Sequence, residues 1–340
     1  GIEYISTPGF QYEPQVIPIA QRTTYKYKSS EHLGDHFYRK APGHMYSKIS
    51  NPTVELVEQK ISMLEGGVGA ALVSSGQAAN LLAILNITSS GQNFVSLSSI
   101  YGGTINLFSV TLKKMGIEVR YITPEMTDDE IDALFDENTR LVFGETIANP
   151  ALTVLDFEKY SKVAHKHDVP FVVDNTFPTP VLCRPFEFGA DIVCHSTTKY
   201  MDGHAQVVGG VIVDSGKYNW NNGKYPELTQ PDESYHGVIY TESFGEAAYI
   251  TKVRCQLIRD FGVAMAPLSA FLLNTGLETL HLRMERHSEN ALKVAKYLEA
   301  NDKIAWVNYP GLPSNKYYEM AKKYMPNGTC GVISFGVKGG

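Results

Sequence analysis

Lys199 lies in Ser196-Thr197-Thr198-Lys199-Tyr200, with Gly203-His204 and Gly209-Gly210 just beyond, and this grouping has the parts to hold an aldehyde and a phosphate side by side. The apolar run from Ala190 to Cys194 reads as a short buried strand, so the hydroxyls and the amine sit where that strand opens into a loop. A desolvated lysine is a nucleophile towards carbonyls, and Ser196 and Thr198 can donate hydroxyls to phosphate oxygens while Lys199 reaches the aldehyde. Those requirements match pyridoxal 5'-phosphate (PLP). A second wall is offered by Ser74-Ser75-Gly76-Gln77, placed between a strand ending at Val73 and a helix from about Ala78 to Leu85. Backbone N–H groups at such a helix start face an anion, and Gly76 lets the backbone approach closely.

Three further positions close strands. Asp174 ends Pro170-Phe171-Val172-Val173, where a carboxylate can pair with a protonated pyridine nitrogen and keep the ring an electron sink, or else cap the turn through Asn175 and Thr176. Asn149-Pro150 follows Glu145-Thr146-Ile147-Ala148 and can orient a substrate carboxylate or a ring hydroxyl, or serve only as a turn. Tyr101, in Tyr101-Gly102-Gly103-Thr104, can stack on a planar ring and exchange a proton, or simply pack in the core. Gly66-Gly67-Val68-Gly69-Ala70 precedes its strand and lacks the last glycine of G-x-G-x-x-G, so a dinucleotide loop is not expected. The ten histidines are scattered and no metal centre is expected; His195 and His204, flanking Lys199, read as structural.

The elements that must position these residues follow from periodicity. From Val68 onward, short apolar runs alternate with helical patterns: Ala70 to Val73, Phe94 to Leu97, Val119 to Ile122, Leu141 to Phe143, Phe171 to Val173, Ile192 to Cys194 and Val211 to Val213. Runs that are apolar on both faces, with intervals long enough for crossover helices, indicate a largely parallel sheet of seven strands covered on both sides, an α/β domain. Helix starts support the parse: Thr127-Asp128-Asp129-Glu130 has capping-box form, and Asp156 precedes a helix ending near His167. At 340 residues the chain exceeds one comfortable core. We expect an irregular arm over 1–55 that packs on something other than its own domain, a large domain over 56–245, and a smaller α+β domain over 246–340. That last domain carries a helix from Leu277 to Leu298, a strand Ile304 to Asn308, a helix Asn315 to Tyr324 and a strand Gly331 to Val337, and is expected to be incomplete at Gly340. A formal net charge of -6, with no Lys/Arg run longer than a pair, argues against nucleic acid. The apolar stretches fall short of the ~20 residues of a membrane helix. Four cysteines without C-x-x-C spacing point to a reducing cytosol.

Six ordered segments carry a family resemblance: Tyr46-Ser47-Lys48-Ile49-Ser50-Asn51-Pro52-Thr53, Ser75-Gly76-Gln77-Ala78-Ala79, Tyr101-Gly102-Gly103-Thr104, Glu145-Thr146-Ile147-Ala148-Asn149-Pro150, Val173-Asp174-Asn175-Thr176-Phe177 and Ser196-Thr197-Thr198-Lys199-Tyr200. From about residue 10 to 340 the chain resembles the PLP-dependent enzymes of Cys/Met metabolism. Through Asn219-Trp220-Asn221-Asn222-Gly223-Lys224 and Asp232-Glu233-Ser234-Tyr235-His236-Gly237 it looks like the O-acetylhomoserine sulfhydrylases among them. The resemblance implies an aspartate-aminotransferase-like fold (fold type I), a cytoplasmic homotetramer of two catalytic dimers, and γ-replacement on O-acetylhomoserine with sulfide to give homocysteine. Cystathionine γ-synthase, methionine γ-lyase and a non-catalytic PLP-binding protein are the alternatives. By the same resemblance Lys199 would hold PLP covalently and act as base, Asp174 would hold the pyridine nitrogen, and Tyr101 would stack on the ring. Gly76, Gln77, Ser196 and Thr198 would bind its phosphate. Tyr46 and Lys48 would reach the phosphate of the neighbouring subunit, and Tyr46 and Asn149 would line the substrate. The family usually has arginine at Lys48, and lysine lacks the bidentate fork. It also carries an arginine for the substrate carboxylate in a part expected beyond Gly340.

Overall fold

A computed structural model describes residues 15–27, 29 and 43–339. Strands β1 (Gly69–Val73), β2 (Asn93–Leu97), β3 (Glu118–Ile122), β4 (Thr139–Glu145), β5 (Phe171–Asp174), β6 (Ile192–Ser196) and β7 (Gly210–Asp214) form one sheet in the order β1-β7-β6-β5-β4-β2-β3. All seven apolar runs are strands. Neighbours from β3 through β6 pair in parallel, whereas β7 is antiparallel to both β6 and β1. The exception has a local cause. Residues 197–209 are built from turns, with no helix to carry the chain back across the sheet, so β7 returns beside β6 in the opposite sense.

Side-chain alternation buries both faces. Leu72, Val95, Val142, Val173, Val193 and Val213 point into one core, which also takes Val57 and Ile61 of α1 (Pro52–Glu65). Ala71, Phe94, Phe143, Val172, Ile192 and Ile212 point into the other, shared with Ala79 and Leu82 of α2 (Gly76–Leu85). Tyr249, Val253 and Ile258, past the expected junction at residue 245, pack in this second core as well. α2 begins two residues earlier than its apolar pattern, because Ser75 caps it by accepting from the Ala78 N–H at 3.1 Å. The Thr127–Glu130 capping box on α4 (Asp128–Asp132) and the Asp156 cap on α5 (Phe157–Lys166) form as expected. Before both in the chain, α3 (Gly102–Asn106) opens directly after Tyr101.

The helix expected over Leu277 to Leu298 is α7 (Leu280–Glu299); a further helix, α6 (Pro267–Glu278), precedes it, separated at Thr279. At the break the Gly276 carbonyl accepts from the Arg283 guanidinium at 2.6 Å and, more weakly, from the Thr279 N–H at 3.3 Å. Beyond lie β8 (Ile304–Asn308), α8 (Tyr318–Tyr324) and β9 (Ser334–Val337), with β9 antiparallel to β8. α8 starts later than Asn315 because that side chain accepts from the Tyr317 N–H at 2.9 Å and holds a turn there. Among the described residues no helix is long and apolar enough to cross a membrane. Cys183, Cys194, Cys255 and Cys330 are free and buried.

Candidate active site

Parallel strands deliver their carboxyl ends to one edge of a sheet, which is where open α/β folds hold ligands. Here β4, β5 and β6 end there in Glu145, Asp174 and Ser196, and β1, parallel to β6 across the reversed β7, leads into Ser74 to Gln77. Glycines let these segments close on one another. A Cβ added at Gly76 would lie 2.5 Å from Ser196 Cβ and 2.8 Å from its Cα, so the two candidate phosphate walls are in contact. Thr198 Oγ1 accepts from the Gly209 N–H at 3.0 Å and donates to the Gly209 carbonyl at 3.2 Å, pinning the Lys199 turn to the start of β7. The Ser75 hydroxyl serves the Ala78 N–H, which leaves the N–H groups of Gly76 and Gln77 without intrahelical partners. We expect Gly76→Ala to push α2 away from Ser196, to cost about 1–3 kcal/mol of stability as an overpacking change, and to weaken phosphate binding. Thermal unfolding and a titration with inorganic phosphate would check both effects; an unchanged midpoint would mean that the walls are not in contact.

Asp174 does two things at once. Its Oδ1 accepts from the Thr176 N–H at 3.0 Å and from the Thr176 hydroxyl at 2.5 Å, the turn-capping arrangement, while Oδ2 takes only Asn80 Nδ2 at 3.3 Å. Thr176 Oγ1 in turn accepts from the Ser196 N–H at 2.9 Å, so one hydroxyl ties the ends of β5 and β6 together. Tyr101 is half exposed, and a Cβ at Gly103 would lie 2.5 Å from its ring and 2.9 Å from Gln77 Nε2, which brings ring and amide together at that glycine. Gln77 Oε1, Asn80 Oδ1 and Thr197 Oγ1 are buried without a hydrogen-bond partner among the described residues. Unpaired polar atoms of this kind mark a place shaped for something else.

Lys199 is exposed, not desolvated as expected, because the turn after β6 carries it past the sheet edge. The backbone beside it is held from α6 and α7: Arg283 donates to the Tyr200 carbonyl at 2.7 Å, and Gly276 packs against the carbonyls of Met201 and Asp202. Sequence reasoning missed Arg283, whose only signal was a cation on a helix. It also missed Glu145, an acid at a strand end. Glu145 is buried in register with Asp174, and burial, reinforced by the Asp174 charge, pushes its carboxyl well above the usual carboxylate range.

His195 and His204, read as structural, each meet a partner other than the Lys199 side chain. Alternation turns His195 to the opposite side of β6 from Ser196, where it meets Glu65 at 2.5 Å. Glu65 also accepts from Asn175, which accepts from the Thr146 hydroxyl at 2.8 Å, a buried network beneath the site. His204 Nδ1 lies 2.7 Å from the Asp202 carbonyl. Tyr46 and Lys48 stand apart from the rest. The Lys48 ammonium lies 5.8 Å from the Tyr46 ring centroid, and among the described residues no hydrogen bond joins either side chain to Ser196, Thr198 or Lys199. The described part of the arm is strapped to the head of α1, where Asn51 donates to the Ala20 carbonyl and Thr53 to the Pro18 carbonyl.

Residues 3–340 match the family model described as Cys/Met metabolism PLP-dependent enzyme. The chain is 49% identical over 330 residues to a homocysteine/cysteine synthase of Kluyveromyces lactis, spanning 96% of this chain and 74% of that protein. It is 45% identical over 336 residues to an O-acetyl-L-homoserine sulfhydrylase of Leptospira meyeri, spanning 96% and 76%. A crystal structure from Campylobacter jejuni, assigned as an O-acetylhomoserine (thiol)-lyase and carrying a pyridoxyl-lysine phosphate, superposes with a TM-score of 0.91 at 38% identity over 95% of this chain and 81% of that one. The mainly parallel seven-stranded sheet is therefore the aspartate-aminotransferase-like sheet of fold type I. On its sequence over nearly its whole length, the chain belongs to the PLP-dependent enzymes of Cys/Met metabolism.

Proposed function

We propose that this protein catalyses γ-replacement on O-acetyl-L-homoserine with sulfide, releasing acetate and giving L-homocysteine. The observation that carries the reading is the meeting of Gly76, Asp174, Ser196 and the Lys199 turn at one sheet edge, in a chain 45% identical to an O-acetyl-L-homoserine sulfhydrylase. The residues present fit PLP: the free N–H groups that begin α2 and the Ser196 hydroxyl suit a phosphate, and Asp174 Oδ2 has acceptor capacity left for a pyridinium proton. Bound there, PLP supplies an electron sink for negative charge at substrate Cα and Cβ.

The chain's own groups do the rest. Gly76, Gln77, Ser196 and Thr198 hold the phosphate; Thr198 would give up its bond to the Gly209 carbonyl to do so. Asp174 holds the proton on the ring nitrogen and Tyr101 stacks on the ring. The Lys199 amine holds the aldehyde carbon and, once displaced by the substrate amine, moves the Cα and Cβ protons. Acetate leaves from Cγ with its bonding pair, and the sulfur of sulfide bonds to that carbon. Asn149 and Tyr46 orient the substrate. The test is the absorbance of the purified protein before and after borohydride, followed by product analysis with sulfide and cysteine in competition. Homocysteine and acetate are expected; cystathionine, or ammonia with an oxoacid, would replace this reading with γ-synthase or γ-lyase chemistry.

We also assign the arm, 1–55, to a neighbouring subunit's site, with 56–245 as the cofactor domain and 246–340 as a second domain in a cytoplasmic homotetramer of two catalytic dimers. Support comes from Tyr46, which is 43% exposed, and from Lys48, both unattached to the site of their own chain. Mixing a Lys199→Ala chain with a Tyr46→Phe, Lys48→Ala chain is expected to form hybrids with one intact site and to restore up to about a quarter of the activity, the statistical yield of random pairing. Verified subunit exchange without recovery would place both residues in their own subunit's site.

A further inference from the structure

We propose that Glu145 is a positioning residue, a bracket whose carboxyl oxygen sets the backbone of Tyr101 and Asn149 on the two sides of the site. Its Oε2 accepts the Tyr101 N–H at 2.6 Å, across 44 residues of sequence, and the Asn149 N–H, four residues on from Glu145, offsets part of the effect of burial on the same carboxyl. Both are main-chain groups four residues past the ends of β2 and β4, so the bracket ties the two loops to one strand end. The Tyr101 side chain does not cap α3, and the Tyr101 N–H at the head of that helix is held by Glu145. Glu145 itself is 8% exposed and stands at the last position of a fully buried strand. Its neighbour across β5 is Asp174.

Two charged carboxylates side by side repel, and burial penalises the one with less water; Glu145 is accordingly the member driven towards its neutral form. An acceptor oxygen at the right reach, and not a negative charge, is then what the bracket requires. Glutamine supplies that oxygen at the same distance, aspartate keeps the carboxylate but withdraws it by one methylene, and alanine removes it.

The functional part of this inference rests on Tyr101 and Asn149 being cofactor and substrate contacts, so the experiment has an arm that does not. In the cofactor-free protein, hydrogen exchange in peptides spanning 98–104 and 146–150 should be as slow in Glu145→Gln as in wild type. Glu145→Asp and Glu145→Ala should exchange on the order of tenfold faster there, the effect of one lost hydrogen bond. PLP affinity from absorbance titration should follow the same ranking: Gln within about threefold of wild type, Asp and Ala weaker by about tenfold or more. With PLP saturating, kcat should fall in Asp and Ala and remain in Gln. The reverse ranking, with Asp like wild type and Gln impaired, would overturn the bracket in favour of a charge role. Uniform behaviour of all three variants, whether impaired or normal, would overturn it too. If wild type forms no homocysteine while the exchange ranking holds, the proposed activity fails and the bracket stands.

Discussion

Lys199→Ala is expected to abolish homocysteine formation and to leave no cofactor attached to the chain after borohydride. Two contributions are lost together: the covalent hold on the aldehyde and the amine that moves the Cα and Cβ protons. Proton transfer by a positioned group is by itself commonly worth about 10² to 10⁴ in rate, so the combined loss should reach background. Among the described lysines, Lys48 sits with Tyr46 and Lys252 is buried against Asn86 on the sheet's second face, so neither is placed to substitute. The fold should survive, because Lys199 is exposed and the turn is held through the Lys199 carbonyl, Thr198 and Arg283. Peptide mapping after borohydride checks the assignment directly: a label on any other lysine, or wild-type turnover in the variant, would move the site elsewhere.

Asp174→Asn should keep the structure and lose most of the activity, on the order of 10² for a charged hydrogen bond whose loss leaves the partner unpaired. The asparagine carbonyl can still accept from the Thr176 N–H, so the turn after β5 remains closed. What it cannot do is hold a proton on a pyridine nitrogen by charge. PLP absorbance in the variant should shift accordingly, and the Glu145 carboxyl, relieved of its charged neighbour, should ionise more readily. A titration of cofactor-free protein followed by a carboxyl-sensitive signal can read that second effect, which depends only on the two side chains. Near-native rates in Asp174→Asn would reduce the aspartate to its turn-capping role.

Much of this molecule is legible in its sequence. The seven strands were readable because each is apolar on both faces, which is the condition for burial between two helical layers, and the observed alternation of Leu72 with Val73 or Phe171 with Val172 obeys it. Thr127 and Asp156 marked helix starts because a capping hydroxyl or carboxylate acts within three residues, and local chemistry survives whatever the tertiary fold does. Gly76, Asp174, Ser196 and Lys199 stood out for the same reason, as polar residues in the places where apolar runs stop.

Strand order and the reversal of β7 were not legible, since hydrophobic period carries no sense of direction and that reversal depends on the connection through residues 197–209. The break at Thr279 escaped the helical pattern because an arginine four residues on takes the carbonyl of Gly276, and both serve a loop more than 70 residues away in sequence. Glu145 gave no signal of its own; one acid at a strand end acquires meaning only when the fold brings Tyr101 to it. The expected desolvation of Lys199 failed because burial is a property of neighbours, and its own chain leaves it exposed. By itself, then, the sequence determined which segments form elements and which residue types end them, through interactions within a few residues. The tertiary structure decided which ends meet, which carboxyl is pressed towards neutrality and which amine stays in water, because those outcomes depend on distances and dielectric set by residues far apart in the chain.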